Sequence, residues 1–161
     1  MAELPVVNAS PLIYLSKAGL SELLQLLSPR IRVPQAVATE IQQRGTLDVT
    51  ARLIDTTDWL EVVETPEIPA IIQAWDLGQG ESAVLAWAYL HQGGEAIVDD
   101  LAAWRCAAAL EIPVRGTLGL VLVAKQRGEI GEARSVLMQL RQVGMYLSDG
   151  VLNRALALVG E

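Results

Sequence analysis

The sequence predicts an α/β fold with a central parallel sheet covered on both faces by helices, and three observations carry this. Short apolar runs, among them Val6-Val7, Ile31-Arg32-Val33 and Ala96-Ile97-Val98, alternate with longer stretches of helical spacing, as expected of parallel strands joined by helical crossovers. No repeat or dividing linker interrupts the 161 residues, of which 52% are hydrophobic. A chain of this size removes roughly 70% of its unfolded surface from water, so one domain over 1–161 is expected. Finally, polar residues stand where the apolar runs stop: Asn8 and Ser10 after the first, Asp99 and Asp100 after the fourth.

In chain order, Leu4-Pro5-Val6-Val7 reads as the first strand. Leu12, Ile13 and Leu15, then Leu20, Leu23, Leu24 and Leu27, give a helix pair. Ser10 before Pro11 suits an N-cap followed by proline at the first helical position. Ile31-Arg32-Val33 is the second strand, and Pro34 opens a helix through Ala36, Val37 and Ile41 that carries Glu40. The third strand is Trp59-Leu60-Glu61-Val62-Val63. Ile68, Ile71, Ile72 and Trp75 have helical spacing; Gly78-Gln79-Gly80 breaks that helix before another over 81–90. Ala96-Ile97-Val98 is the fourth strand, 101–110 an Ala-rich helix, Ile112-Pro113-Val114 the fifth strand, and helices over 118–125, 130–142 and 147–158 complete the chain.

Composition narrows the function. A net charge of −7 argues against a protein that coats nucleic acid, because Lys and Arg make the phosphate contacts that dominate such affinity. It leaves open a nuclease, in which carboxylates concentrate to hold cations. With no Phe, four Trp and three Tyr, a base-stacking platform is not expected and the tryptophans read as core. The lone Cys106 excludes a disulfide framework and fits a reducing, cytoplasmic setting. No apolar run approaches the roughly 18 residues of a membrane span, and Met1-Ala2-Glu3-Leu4-Pro5 lacks the basic start of a secretory signal.

In an open parallel sheet the ligand crevice lies outside the C-terminal strand ends, where strand order reverses. If the first and fourth strands are neighbours, Asn8 and Asp99 face each other there. Asp100 before Leu101 has a local role as helix cap, which leaves Asp99 available as a ligand. Glu81 suits the first turn of its helix, and Glu40 suits a solvent face. As a set they signal more: acids brought within about 5 Å repel by roughly 3 kcal/mol per pair at an effective dielectric of 20, which a cation or shared protons must offset. Oxygen ligands without His or Cys select Mg²⁺ or Mn²⁺. Two competing constellations are weaker. Ser10 and His91 lack the Gly-x-Ser-x-Gly turn of a catalytic triad. Gly78-Gln79-Gly80-Glu81-Ser82-Ala83 matches a dinucleotide fingerprint, with Asp99 at about the right distance, but no strand precedes it and Glu81 would repel a pyrophosphate.

Val6-Val7-Asn8-Ala9-Ser10-Pro11-Leu12-Ile13, Val33-Pro34 with Glu40, Leu77-Gly78-Gln79-Gly80-Glu81-Ser82, Ile97-Val98-Asp99-Asp100 and Val114-Arg115-Gly116-Thr117-Leu118-Gly119 together resemble the PIN-like family of small prokaryotic proteins. The resemblance runs nearly end to end, through the tail at 137–149. It implies a three-layer sandwich around a mainly parallel five-stranded sheet, and a Mg²⁺- or Mn²⁺-dependent ribonuclease acting on RNA, as in the toxins of toxin–antitoxin pairs. The implied catalytic and metal positions are Asn8, Glu40, Glu81 and Asp99. Asp100 is implied as a further metal ligand, Thr117 stands beside the set, and Ser10 orients the first ligand. The family pattern has Asp where this chain has Asn8, and Asn offers one neutral carbonyl oxygen in place of a charged carboxylate. A non-catalytic module binding RNA or a partner protein is therefore the alternative. Lys17, Arg44, Arg105 and Arg115 are the candidate substrate contacts, and a small antitoxin protein and a homodimer are the partners the resemblance implies.

Overall fold

The computed structural model describes residues 3–161; Met1 and Ala2, part of the segment read above as lacking a secretory signal, lie outside the described residues. Strand β1 (Val6–Val7) leads directly into α1 (Ala9–Lys17), followed by a 3-10 helix (Ser21–Leu26). Next come β2 (Ile31–Pro34), α2 (Gln35–Gln42), α3 (Val49–Thr56), β3 (Leu60–Val63) and the short α4 (Ala70–Gln73). The second half runs α5 (Gln79–Leu90), β4 (Ala96–Ile97), α6 (Leu101–Ala109), β5 (Val114–Arg115), α7 (Thr117–Gln126), α8 (Ala133–Gln142) and α9 (Asp149–Leu158).

The five strands form one sheet in the order β3-β2-β1-β4-β5, and all four pairings are parallel. Both central strands are buried throughout, as are Ile31 and Val33 of β2. Such strands must be apolar on both faces, which explains why they appear in the sequence as unbroken runs of Val, Ile and Ala. Leu12, Leu15, Val37, Ile41, Val84, Leu85, Leu120 and Leu137 from the surrounding helices pack into the same core.

Several boundaries differ from those the sequence suggests. Helix α1 begins at Ala9 with Asn8 at its N-cap in extended backbone, φ −86° and ψ 170°, so Ser10 is not the cap and Pro11 sits at the third helical position instead of the first. Proline is tolerated there because the first N–H groups of a helix have no partner within it. Helix α5 begins at Gln79 rather than Glu81, which puts Gly80 inside the helix and Gly78 at the cap. Strand β5 lies at Val114–Arg115, later than the apolar run Ile112-Pro113-Val114, since it is Arg115 that pairs with Ile97. Helix α3 has no counterpart in the sequence reading. Its start is fixed by Asp48, whose carboxylate accepts the backbone N–H groups of Thr50 at 3.0 Å and Ala51 at 3.1 Å.

Candidate active site at the carboxyl edge of the sheet

Strand order reverses at β1: β2 and β3 extend to one side of it, β4 and β5 to the other. The residues that follow β1 and β4 therefore flank the point where parallel α/β sheets bind ligands. Pairing of Val7 with Ile97 fixes the alignment, and the Asn8 N–H continues it by donating to the Ile97 carbonyl at 3.0 Å.

Asn8 is only 2% exposed. Asparagine at an N-cap ordinarily accepts helix N–H bonds through its side chain, yet Asn8 makes no such bond. Its Oδ1 is buried without a hydrogen-bond partner, a state that costs about 1–3 kcal/mol when nothing else contacts the atom. The side chain is aimed instead at the first turn of α5. A Cβ on Gly80 would lie 2.9 Å from Asn8 Oδ1 and 2.9 Å from Glu40 Oε2. Two oxygens, one from β1's end and one from α2, thus converge on a backbone that only glycine allows so close. Glu81 follows in the same turn, its Oε2 2.5 Å from where a Gly78 Cβ would be.

Glu40 is solvent exposed as a residue, yet its Oε2 reaches this turn. Burial, and then the charge of Glu81, hold its pKa above the ordinary 4.5. Both acids line one cleft of about 810 Å³, together with Gln35, Gln43, Gln73 and Gln79.

Asp99 forms a second group. Its Oδ1 accepts the Thr117 backbone N–H at 2.7 Å and its Oδ2 accepts the Thr117 hydroxyl at 2.7 Å. Thr117 is fully buried at the start of α7, so the carboxylate lies at a helix N-terminus, where a negative charge is favoured. Burial nevertheless outweighs these two bonds and raises the Asp99 pKa above 3.8. Asp99 opens on a different cavity, about 460 Å³, which Glu40 and Glu81 do not line.

The other sequence candidates fall as follows. Asp100 caps α6, accepting the Ala103 N–H at 2.9 Å. Ser10 lies in the first turn of α1 and does not bond Asn8 Oδ1. Arg44 is engaged by Asp48 at 3.1 Å and Arg115 by Glu95 at 2.9 Å. Lys17 and Arg105 are exposed, and none of the four bases lines the cleft of Glu40 and Glu81. His91 stacks on Trp87 with ring centroids 4.1 Å apart and its Nδ1 lies 2.9 Å from the Trp87 carbonyl, at the far end of α5 from Glu81. Helix α4, not a strand, precedes Gly78, so the dinucleotide fingerprint lacks its context. The expectation that the tryptophans are core is corrected for Trp75 and Trp104, which are exposed; a composition poor in aromatics says nothing about where the few present are spent.

Gly80 is the functional position that the sequence hides. Gly-x-Gly at a helix start reads as a breaker, and only the approach of Asn8 and Glu40 reveals the need for a missing side chain. Among the described residues, no three His, Cys, Asp or Glu side chains gather into a group able to hold a metal ion. What meets at Gly80 is an amide oxygen and the Glu40 carboxylate, with Glu81 next in the helix and close enough to raise the Glu40 pKa, and that donor set fits a hard divalent cation which keeps most of its water, as Mg²⁺ does with one or two carboxylates. The unpaired Asn8 Oδ1 is the atom such an ion would satisfy.

A family model described as a PIN domain matches residues 4–161. No curated protein matches the chain. No helix among the described residues is long and apolar enough to cross a membrane.

Two outcomes test this geometry. Gly80→Ala should lose about 1 kcal/mol of stability, because the clash at a buried Asn8 outweighs the roughly 1 kcal/mol that alanine adds to a helix. Added Mn²⁺ should no longer raise its Tm. Full stability with an intact Mn²⁺ response would contradict the close approach. For Asp99, a raised folded-state pKa means that the folded protein binds more protons than the unfolded chain above 3.8, so stability falls as pH rises through the interval between the two values and stays lower beyond it. Asp99→Asn should therefore unfold at a higher urea midpoint than the native chain at pH 7, with the difference gone below pH 3.8. An Asn variant less stable at pH 7 would contradict burial as the dominant influence.

Proposed function

Because the chain belongs to the PIN-domain family, whose fold is that of nucleases acting with divalent metal ions, we propose that it is a metal-dependent endoribonuclease. In this reading residues 1–161 form one PIN-type domain that hydrolyses RNA phosphodiester bonds with Mg²⁺ or Mn²⁺. The observation that carries the proposal is the convergence of buried, unpaired Asn8 Oδ1 and Glu40 Oε2 on Gly80, with Glu81 in the same helical turn.

Asn8, Glu40 and Glu81 would hold the cation. When bound, it acidifies a water and neutralises charge on the phosphate. Asn8 contributes a neutral carbonyl oxygen from a position its burial makes rigid. Glu40, whose pKa burial and then the charge of Glu81 raise in the metal-free site, would be held as a carboxylate by the cation's charge. Asp99, fixed through both carboxylate oxygens by Thr117, carries the acidic edge across the switch point to β4. Asp100 supports that edge as the cap of the following helix. With no Lys or Arg among the residues lining the cleft, the scattered bases Lys17, Arg44, Arg105 and Arg115 act on the RNA backbone outside it. The resemblance extends the proposal to a cytoplasmic homodimer, the toxin partner of a small antitoxin protein.

A second reading is favoured by one specific observation: Asn8 leaves two carboxylates where a third would complete a metal cage. The chain would then be a weak or inactive PIN module that binds nucleic acid or a protein. One assay separates the two. In the nuclease reading, a fluorogenic RNA is cleaved with Mn²⁺ or Mg²⁺ and not with EDTA, Glu40→Gln and Glu81→Gln each lower the rate at least 100-fold, and Asn8→Asp raises it. No metal-dependent cleavage by the native chain, with cleavage gained on Asn8→Asp, selects the inactive module. Cleavage untouched by both Gln variants overturns the site.

A further inference from the structure

Resting on the nuclease reading, we propose that the cavity beside Asp99 is a base-binding subsite, in which a nucleobase of single-stranded RNA stacks on Trp104 beneath Tyr146. Asp99, Trp104, Arg115, Gly116, Leu122 and Tyr146 are among the residues lining its roughly 460 Å³, and a compact apolar pocket with few polar groups is the usual form of a small-ligand site.

Four features point to a base. The Trp104 indole N–H donates to the Val98 carbonyl at 2.7 Å, which pins the ring to the residue immediately before Asp99. Trp104 nevertheless remains 40% exposed. A large apolar ring held rigidly at the surface loses little freedom when another ring stacks on it. Second, a Cβ on Gly116 would lie 3.1 Å from Asp99 Oδ1 and 3.5 Å from Trp104 Cζ2; the carboxylate and the ring edge border the same space, and glycine keeps that space open. Third, Tyr146 lines this cavity and is nevertheless 90% exposed, so packing within the fold does not account for a large aromatic side chain here. Fourth, the polar groups suit a nucleotide: the Asp99 carboxylate keeps lone pairs beyond its two bonds from Thr117 for an amino group on a base edge, and the Arg115 guanidinium, bridged to Glu95 through Nε at 2.9 Å, keeps N–H donors for a phosphate.

The subsite shares Asp99 with the acidic edge, so a base seated there puts its adjoining phosphate toward the switch point between β1 and β4. Affinity then comes from stacking, consistent with a cleft that offers no cations to the phosphates.

The test compares binding of a short single-stranded RNA and an abasic strand of equal length and charge, in EDTA to prevent cleavage. The native chain should bind the base-bearing strand about tenfold more tightly, since stacking on one aromatic side chain is worth about that factor. Tyr146→Ala and Trp104→Leu should each erase most of that preference while leaving affinity for the abasic strand unchanged; Trp104→Phe, which keeps an aromatic face, should retain part of it. Equal affinity of the native chain for the two strands, or a preference undiminished in both Tyr146→Ala and Trp104→Leu, overturns the subsite. Base preference without Mn²⁺-dependent cleavage removes the nuclease reading and keeps the subsite, whereas cleavage without base preference does the reverse.

Discussion

Everything at the carboxyl edge depends on one pairing, that of β1 with β4. Each strand is only two residues long, and their alignment of Val6 with Ala96 and Val7 with Ile97 puts the residues that leave them side by side. A slip of one residue would turn Asn8 from the switch point into the core or the opposite face, because side chains alternate along a strand. Complete burial of both strands makes such a slip expensive: every apolar side chain would change its neighbours at once. Rigid placement of Asn8 is therefore a consequence of the core, and Glu40 near the end of α2 and the first turn of α5 are brought to it by the same packing.

Within that frame the electrostatics are divided. Glu40 and Glu81 face one cleft, and burial, followed by the charge of Glu81, raises the Glu40 pKa. Asp99 faces another and is held by Thr117 at the start of α7. An aspartate at position 8 would add a third negative charge beside Glu40, at a few kcal/mol of repulsion in the absence of a cation and a comparable gain in its presence. Asn8 lowers both terms together. The resulting site is quieter when metal-free and weaker toward a cation, and its unpaired carbonyl is the trace left by that compromise.

How much of this was legible beforehand follows from the physics of each element. The buried strands could be read because burial on both faces forces apolar runs, and the acids at their ends because a run must stop before polar residues begin. The sheet order could not, since no local feature of residues 6–7 states which strand lies beside them. Helix α3 escaped because it is only eight residues long and buries just Thr50, Ala51 and Ile54 behind the cap Asp48, too short a run for its helical spacing to stand out. Ser10 and Pro11 misled because a proline inside the first turn is as acceptable as one that opens it. The separation of Asp99 from Glu40 and Glu81 into two cavities, and the exposure of Trp104 and Tyr146, depend on how helices α6 and α7 and residues 145–147 meet, which residue types alone do not encode. Gly80 looked like a helix breaker and is a spacer.

The central claim is that Asn8, Glu40 and Glu81 share a cation. It is tested most directly by anomalous scattering at the manganese edge from a crystal of the native protein soaked in Mn²⁺. A single peak bounded by Asn8 Oδ1 and the carboxylates of Glu40 and Glu81 is the expected result. Ordered side chains with no peak there, or manganese bound only elsewhere on the surface, would contradict it.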